Sequence, residues 1–381
     1  MDYPHIWAEI DLEAIAHNVG ELRRITAPQA RLMAVVKADG YGHGAVEVAR
    51  TALAAGADML AVARIDEALA LRQAGIVGPI LVFGPTPPAF AENLVAYELI
   101  QSVTGWAGAR ALDGVARRCG RTIPVHLKVD SGMGRLGLLP EDRRIDATPS
   151  SVAEVSAIAQ LSGLRIEGAY THFAAADASD KTYAHQQFRI FKDFLETVQA
   201  AGIDVGMRHA ANSAAIIDLP ETHLDAVRPG IALYGLYPSP EVDRRRIALR
   251  PALSLKSRLL QVKGVPAGFK VSYGMTWEAP APTVIGTVAA GYADGLQRRL
   301  SNRGLMLVGG RRVPIAGRVC MDLIMLDLGP ETSALPGDEV VIIGRQGKAA
   351  ISADEVADLL ETINYEVVFT NPTRVPRVYR R

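Results

Sequence analysis

The chain has 381 residues, 49% of them hydrophobic and 22% charged, enough to bury a large core in two or three domains of roughly 150 residues. Lys+Arg and Asp+Glu both number 41, so the formal net charge is zero. A balanced chain carries no electrostatic footprint for nucleic acid or for an anionic membrane surface. Two cysteines, Cys119 and Cys320, are too few for a disulfide framework or a four-thiolate zinc site. The first seven residues lack the basic-then-apolar pattern of a signal peptide, and no run of about 18 apolar residues predicts a spanning helix. The expectation is a soluble, cytoplasmic protein.

Short apolar runs bounded by Gly, Pro or polar turns predict strands at Leu32–Val36, Met59–Ala63, Ile80–Phe83, Leu99–Val103, Val125–Val129, Ile166–Thr171, Met207–Ala210 and Asp225–Val227. Helical periodicity lies between them, clearest at Val46–Ala55, Asp66–Ala74, Ala107–Cys119, Val152–Leu161 and Tyr183–Ala201. Glycines 56, 75, 120, 163 and 202 follow these stretches and suit left-handed caps. Eight strands alternating with helices predict a (β/α)8 TIM-type barrel over residues 11–245. A doubly wound open sheet is the rival, disfavoured because no G-x-G-x-x-G turn follows the first strand.

After about Leu249 strand-like runs follow one another: Ser254–Val262, Thr283–Ala289, Leu305–Val308, Arg312–Ile315, Leu323–Leu328 and Glu339–Ile343. One good helix is expected, opened by a capping box of Ser352 and Glu355. Residues 246–381 therefore form a mostly β C-terminal domain, joined by an N-terminal strand within residues 1–10. Arg244-Arg245-Arg246 reads as a solvated linker, and Arg374–Arg381 as an edge strand with a basic tail.

In a barrel of this kind chemistry sits at the C-terminal strand ends. There the chain places Lys37, Lys128 with Asp130, His172, His209 with Asn212 and Ser213, and Arg228-Pro229-Gly230. Any one of these is an ordinary solvated strand end; five together point to a site. Desolvation at the mouth lowers a lysine's pKa and suits Lys37 to Schiff-base formation. Ser213 and Gly230, after strands seven and eight, occupy the usual phosphate position of the fold. A Schiff-base lysine facing a phosphate site suggests pyridoxal phosphate.

These segments, with Val271–Thr276, Gly291–Gly295, Gly317–Asp322 and Ile363–Val367, resemble those of the alanine racemases, which are built from a barrel and a β domain. The resemblance spans essentially the whole chain. It implies a homodimeric isomerase that interconverts L- and D-alanine on a pyridoxal 5'-phosphate Schiff base and supplies D-alanine for peptidoglycan. Lys37 and Tyr273 are implied as the two bases, Tyr273 coming from the β domain of a second subunit. A tyrosine is a weak base near neutrality, so a positive environment is needed, and His172 is implied as its source. Arg228 is implied opposite the pyridine nitrogen, where a guanidinium cannot accept the ring's proton and so weakens the electron sink.

The resemblance also implies Tyr41, Ser213, Gly230, Ile231 and Tyr365 around the phosphate, with His172, His209 and Asn212 completing the cofactor site and His209 against the ring. Arg135 and the backbone N–H of Met321 are implied to hold the substrate carboxylate. Lys128, carbamylated, would fix Arg135. Cys320 and Asp322 are implied as supporting residues, Cys320 as a packed thiol and not a metal ligand. Asp177, Tyr292, Arg298, Arg318 and Ile363 resemble a narrow entrance corridor. The alternatives are a broad-specificity racemase, since one methylene discriminates by only about 1–3 kcal/mol, an amino-acid decarboxylase of the same architecture, or a non-catalytic pyridoxal-phosphate-binding protein. Arg228 and the Tyr273 segment argue against the decarboxylase, and the β domain against the binding protein.

Overall fold

The computed structural model describes residues 5–143, 145, 150–369 and 374–381; residues 1–4 of the expected N-terminal strand segment lie outside them. The chain divides into two compact units.

One unit comprises Ala14–Gly40 and Ala45–Pro251. Its strands are β2 (Arg31–Val35), β3 (Met59–Val62), β4 (Ile80–Val82), β5 (Ile100–Val103), β6 (Ile123–Lys128), β7 (Leu164–Tyr170), β8 (Met207–Asn212) and β9 (Ala226–Arg228). They pair in parallel in chain order, and β9 returns to β2 through Arg31↔Ala226 and Leu32↔Val227, closing a barrel. Closure rules out the open sheet. Strands such as Met59-Leu60-Ala61-Val62 are buried at every residue, as a layer covered on both faces requires. Helices at Ala45–Ala54, Ile65–Gln73, Trp106–Arg118, Ser151–Ala159 and Thr182–Ala200 return the chain between strands. In the last of these Ala184, Phe188, Phe191, Leu195 and Val198 form the buried stripe, the three-and-four spacing of one helical face. Gly56, Gly75, Gly120 and Gly202 adopt the expected positive φ, but Gly163 does not. Its N–H instead donates to Asp113 Oδ1 at 2.7 Å.

The other unit comprises Met1–Glu13, Tyr41–Gly44 and Ala252–Arg381. Its spine is β10 (Leu253–Val265), which pairs antiparallel with β1 (Ile6–Asp11), β13 (Thr283–Val288) and β17 (Glu339–Gln346). Strand β1 also pairs in parallel with β19 (Arg377–Arg380), which ends the strand order on that side as an edge. A separate ribbon joins β11 (Lys270–Val271) to β12 (Trp277–Glu278).

Two expectations are corrected in this unit. A second helix, Asn364–Phe369, follows Ala353–Leu360; at six residues it is too short for a periodic signal. The capping box is half made. Ser352 Oγ accepts from Glu355 N at 3.0 Å, but the Glu355 carboxylate is drawn off by the Arg312 guanidinium at 2.6 and 2.9 Å.

The segment Tyr41–Gly44 packs on the β unit although it leaves the first barrel strand. Arg377 Nε donates to Gly42 O at 2.8 Å, and a Cβ on Gly42 would come within 2.5 Å of Val368 O. Arg244–Arg246 is a short exposed turn in which Arg245 pairs with Asp243 at 2.8 Å. Among the described residues no helix is long and apolar enough to cross a membrane.

Candidate active site

Lys37 follows β2 and opens a left-handed turn. Ala38, Asp39 and Gly40 lie near φ +50 to +61°, ψ +46 to +50°, and Tyr41 has φ +51°. Non-glycine residues resist this region, so the turn needs external bonds. Ala38 N donates to Glu67 Oε1 at 2.6 Å, while Glu67 Oε2 accepts from Ala63 N at 2.7 Å. Asp39 Oδ1 accepts from Ala45 N at 2.9 Å. Burial, aided by Arg135, pushes the Lys37 ammonium below the ordinary lysine range, against the pull of Glu67. A larger share of free amine makes a better nucleophile.

Arg228 is the centre of a buried network. Its Nη1 bonds His209 Nδ1 at 2.9 Å, and its Nη2 donates to Thr171 O at 2.8 Å and Ala210 O at 2.9 Å and reaches His172 Nδ1 at 3.3 Å. Burial lowers Arg228 to about 10, which leaves it cationic at neutral pH. A guanidinium only donates, so His209 Nδ1 accepts and its proton sits on Nε2. That proton points to His126 Nδ1 at 2.9 Å, which fixes the next tautomer as well. Burial, with the charge of Arg228, holds His126 at about 4 and His172 and His209 well below the usual histidine range. All three imidazoles are therefore neutral near pH 7.

Two expected site residues have side-chain partners within the barrel unit. His209 has Tyr170, not open space, against its ring: the centroids are 4.8 Å apart and the planes 4° from parallel. It has no exposed surface and backs Arg228. Asn212 uses its side chain to cap the helix Ser213–Asp218, Oδ1 accepting from Ala215 N at 3.0 Å.

Ser213 Oγ accepts from the N–H groups of Gly230 at 2.9 Å and Ala232 at 3.3 Å. Two backbone donors thus converge on one oxygen where Ile231 begins a short turn, the kind of donor set that suits a phosphate.

On the loop after β6, burial opposes ionisation of Asp130, but N–H bonds from Gly134, Gly132 and Arg135, each 3.0 Å, outweigh it and hold the carboxyl below its ordinary value. This shapes the loop that carries Arg135. Lys128 Nζ donates to Val129 O at 2.8 Å, and burial with the nearby Arg228 brings it to about 7. Asp177 accepts from Ser239 Oγ at its carbonyl, 2.6 Å away.

The β unit presents its own group. Tyr292 N donates to Cys320 O and Ala293 N to Met321 O, both at 3.0 Å, and Arg374 bridges Asp294 and Asp322 at 2.8 Å each. Tyr292, Cys320, Met321 and Asp322 are thereby gathered. Arg318 lies against Gly274, where a Cβ would meet its Nη1 at 3.0 Å. Tyr41 and Tyr365 have ring centroids 6.1 Å apart. Arg298 opens a short turn, and Ile363, exposed, precedes Asn364–Phe369. Tyr273 is 69% exposed and Met321 52%.

Sequence reasoning missed three contributors: Glu67, His126 and Tyr170. Tyr170 has Lys128 Nζ and Arg228 Cζ each 5.3 Å from its ring centroid and bonds Ser102 Oγ at 2.8 Å. Polar residues inside otherwise apolar barrel strands were the available signal for His126 and Tyr170.

A closed barrel with a half-buried lysine, a buried arginine and a converging N–H pair, and a second, mostly β unit with an exposed tyrosine, are the parts expected of a barrel-plus-β amino-acid racemase. The family models for the alanine racemase N-terminal and C-terminal domains match residues 10–238 and 252–379, and the chain belongs to the alanine racemase family. It is 57% identical over 374 residues to an alanine racemase of Desulfosudis oleivorans, covering 98% of this chain and 96% of that one. A Methanococcus maripaludis alanine racemase is 49% identical, with 98% of each chain covered. Among solved structures, the Clostridium difficile 630 alanine racemase superposes with a TM-score of 0.94 at 37% identity, covering 100% of this chain and 97% of that one. The Bacillus anthracis alanine racemase with bound L-Ala-P gives 0.92 at 40%, covering 100% and 96%.

Proposed function

We propose that this racemase interconverts L- and D-alanine by a two-base mechanism with pyridoxal 5'-phosphate as cofactor. The observation that carries the reading is Lys37, its amine made more available by burial at the end of a barrel strand. The donor chemistry fits the cofactor: the Gly230 and Ala232 N–H groups converging at Ser213 suit its phosphate, together with Ile231, Tyr41 and Tyr365, and Arg228 suits its ring nitrogen. When bound, the cofactor supplies an electron sink for the carbanion at Cα.

The chain's own residues do the rest. Lys37 holds the cofactor and moves the Cα proton on one face; Tyr273, from a second copy of the chain, moves it on the other. The exposure of Tyr273 supports that assignment to a homodimer. His172, the expected source of positive charge for Tyr273, is neutral, so that charge would come from Arg228, whose Nη2 lies 3.3 Å from His172 Nδ1. Arg228, cationic and only a donor, would hydrogen-bond the ring nitrogen and disfavour its protonation, which would restrain side reactions. Arg135 and the Met321 N–H bind the substrate carboxylate. Lys128, near neutrality partly a free amine, adds carbon dioxide to become the anion that orients Arg135. Tyr292, Arg298, Arg318, Asp177 and Ile363 limit side-chain size. The product D-alanine serves peptidoglycan synthesis in the cytoplasm.

The test is a substrate panel on holoenzyme in heavy water, following optical activity, deuterium at Cα and carbon dioxide. Racemisation with exchange, confined to alanine and weakly serine, is expected. Equal turnover of lysine and arginine would make it a broad racemase, and carbon dioxide without racemisation a decarboxylase.

A further inference from the structure

We infer that Ser272 is the positioning residue for Tyr273, holding the tyrosine by pinning a backbone conformation that serine does not adopt unaided. The inference rests on the role proposed above for Tyr273. Ser272 has φ +66° and ψ −179°, a region essentially reserved for glycine. Gly274 at φ +72° and Met275 at φ +49° follow, so the tyrosine is flanked by positive-φ residues on both sides. The ribbon of β11 and β12 anchors the two ends of this segment, residues 272–276. Tyr273 itself is 69% exposed. Within its own chain, therefore, packing does not aim the phenol, and the backbone sets its starting direction.

What holds Ser272 in place is specific. Its Oγ donates to Arg318 O at 2.7 Å and lies 3.4 Å from Cys320 Sγ. Its Cβ fits because Gly317, at φ +82°, has none: a Cβ there would come within 2.8 Å of Ser272 Cβ and of Val271 O. The acceptor is fixed in turn, since Gly317 N donates to Asn302 Oδ1 at 2.6 Å and Val319 N to Ser301 Oγ at 3.0 Å. The hydroxyl is thus the pin, and the strained φ of Ser272 sets where Tyr273 begins.

The test compares Ser272→Ala, Ser272→Gly and Tyr273→Phe as holoenzymes. Alanine keeps the Cβ and the strain but loses the pin; glycine loses both. The expected order in Tyr273-dependent Cα deuterium exchange is wild type, then Ser272→Gly, then Ser272→Ala, with about tenfold between the two variants. Ser272→Gly should also melt at a higher temperature than Ser272→Ala. The cofactor absorbance should be unchanged in both. A packing or hydrogen-bonding role alone ranks alanine at or above glycine, and that order, or two variants at wild-type exchange, overturns the inference. If Tyr273→Phe exchanges like wild type, the tyrosine's role fails instead, and the melting order still judges the strain.

Discussion

The barrel and the β unit hold their functional groups in opposite ways. From the barrel mouth inward, Arg228, His209 and His126 are buried and bonded in a chain through side-chain atoms, so each fixes the next group's orientation and proton. In the β unit Tyr273 and Met321 are exposed, and backbone turns position them. Charge that must stay put is built from interlocked side chains, whereas a group that must reach a substrate is aimed by its main chain.

The comparison breaks most visibly at Arg228. Arg228→Gln replaces a cation that only donates with a neutral amide that both donates and accepts, so the imidazole tautomers are no longer dictated, and it should lower kcat/KM by about 100-fold or more, read in steady-state kinetics with the cofactor spectrum. A pH effect comes next. His126 is neutral in the fold down to about 4 but takes a proton near 6.5 when unfolded. The unfolded state thus binds more protons between these values, so stability is full above pH 6.5 and falls as the pH drops toward 4. The loss is about 3 kcal/mol from this group, measurable by urea unfolding at pH 7, 5 and 4, and His126→Phe should reduce the slope, leaving the part due to His172 and His209.

Gly168→Ala would place a Cβ 2.6 Å from the His126 ring and should cost about 2 kcal/mol. Activity should fall with it, as His126 is pushed toward His209; a stable and fully active variant would contradict the interlocked network. The smallest effect is Asn212→Ala, about 1 kcal/mol in the denaturation midpoint from the lost helix cap, with cofactor affinity nearly unchanged.

The barrel was readable because its strands are short, apolar and buried on both faces, and each observed strand end lies within two residues of its predicted place. The lysine segment and the residues after the strands were readable for the same reason: position along a barrel strand dictates position in the site. Long-range polar pairing was not. His126 and His209 are 83 residues apart, and nothing local ties them. Sequence shows that Asn212 and His209 follow a barrel strand but not which neighbours, Ala215 N and Arg228, take up their hydrogen bonds. Ser272 left no trace, because a left-handed backbone announces itself only where glycine occupies it. Likewise Tyr41–Gly44 follows a barrel strand yet packs on the β unit through Val368 and Arg377.

The most direct test of the two-base account is Cα deuterium exchange by Tyr273→Phe holoenzyme, starting separately from L- and D-alanine in heavy water. Exchange should persist on the enantiomer whose proton Lys37 reaches and fall about 100-fold or more on the other. Equal, small losses from both enantiomers would contradict a face-specific role for Tyr273.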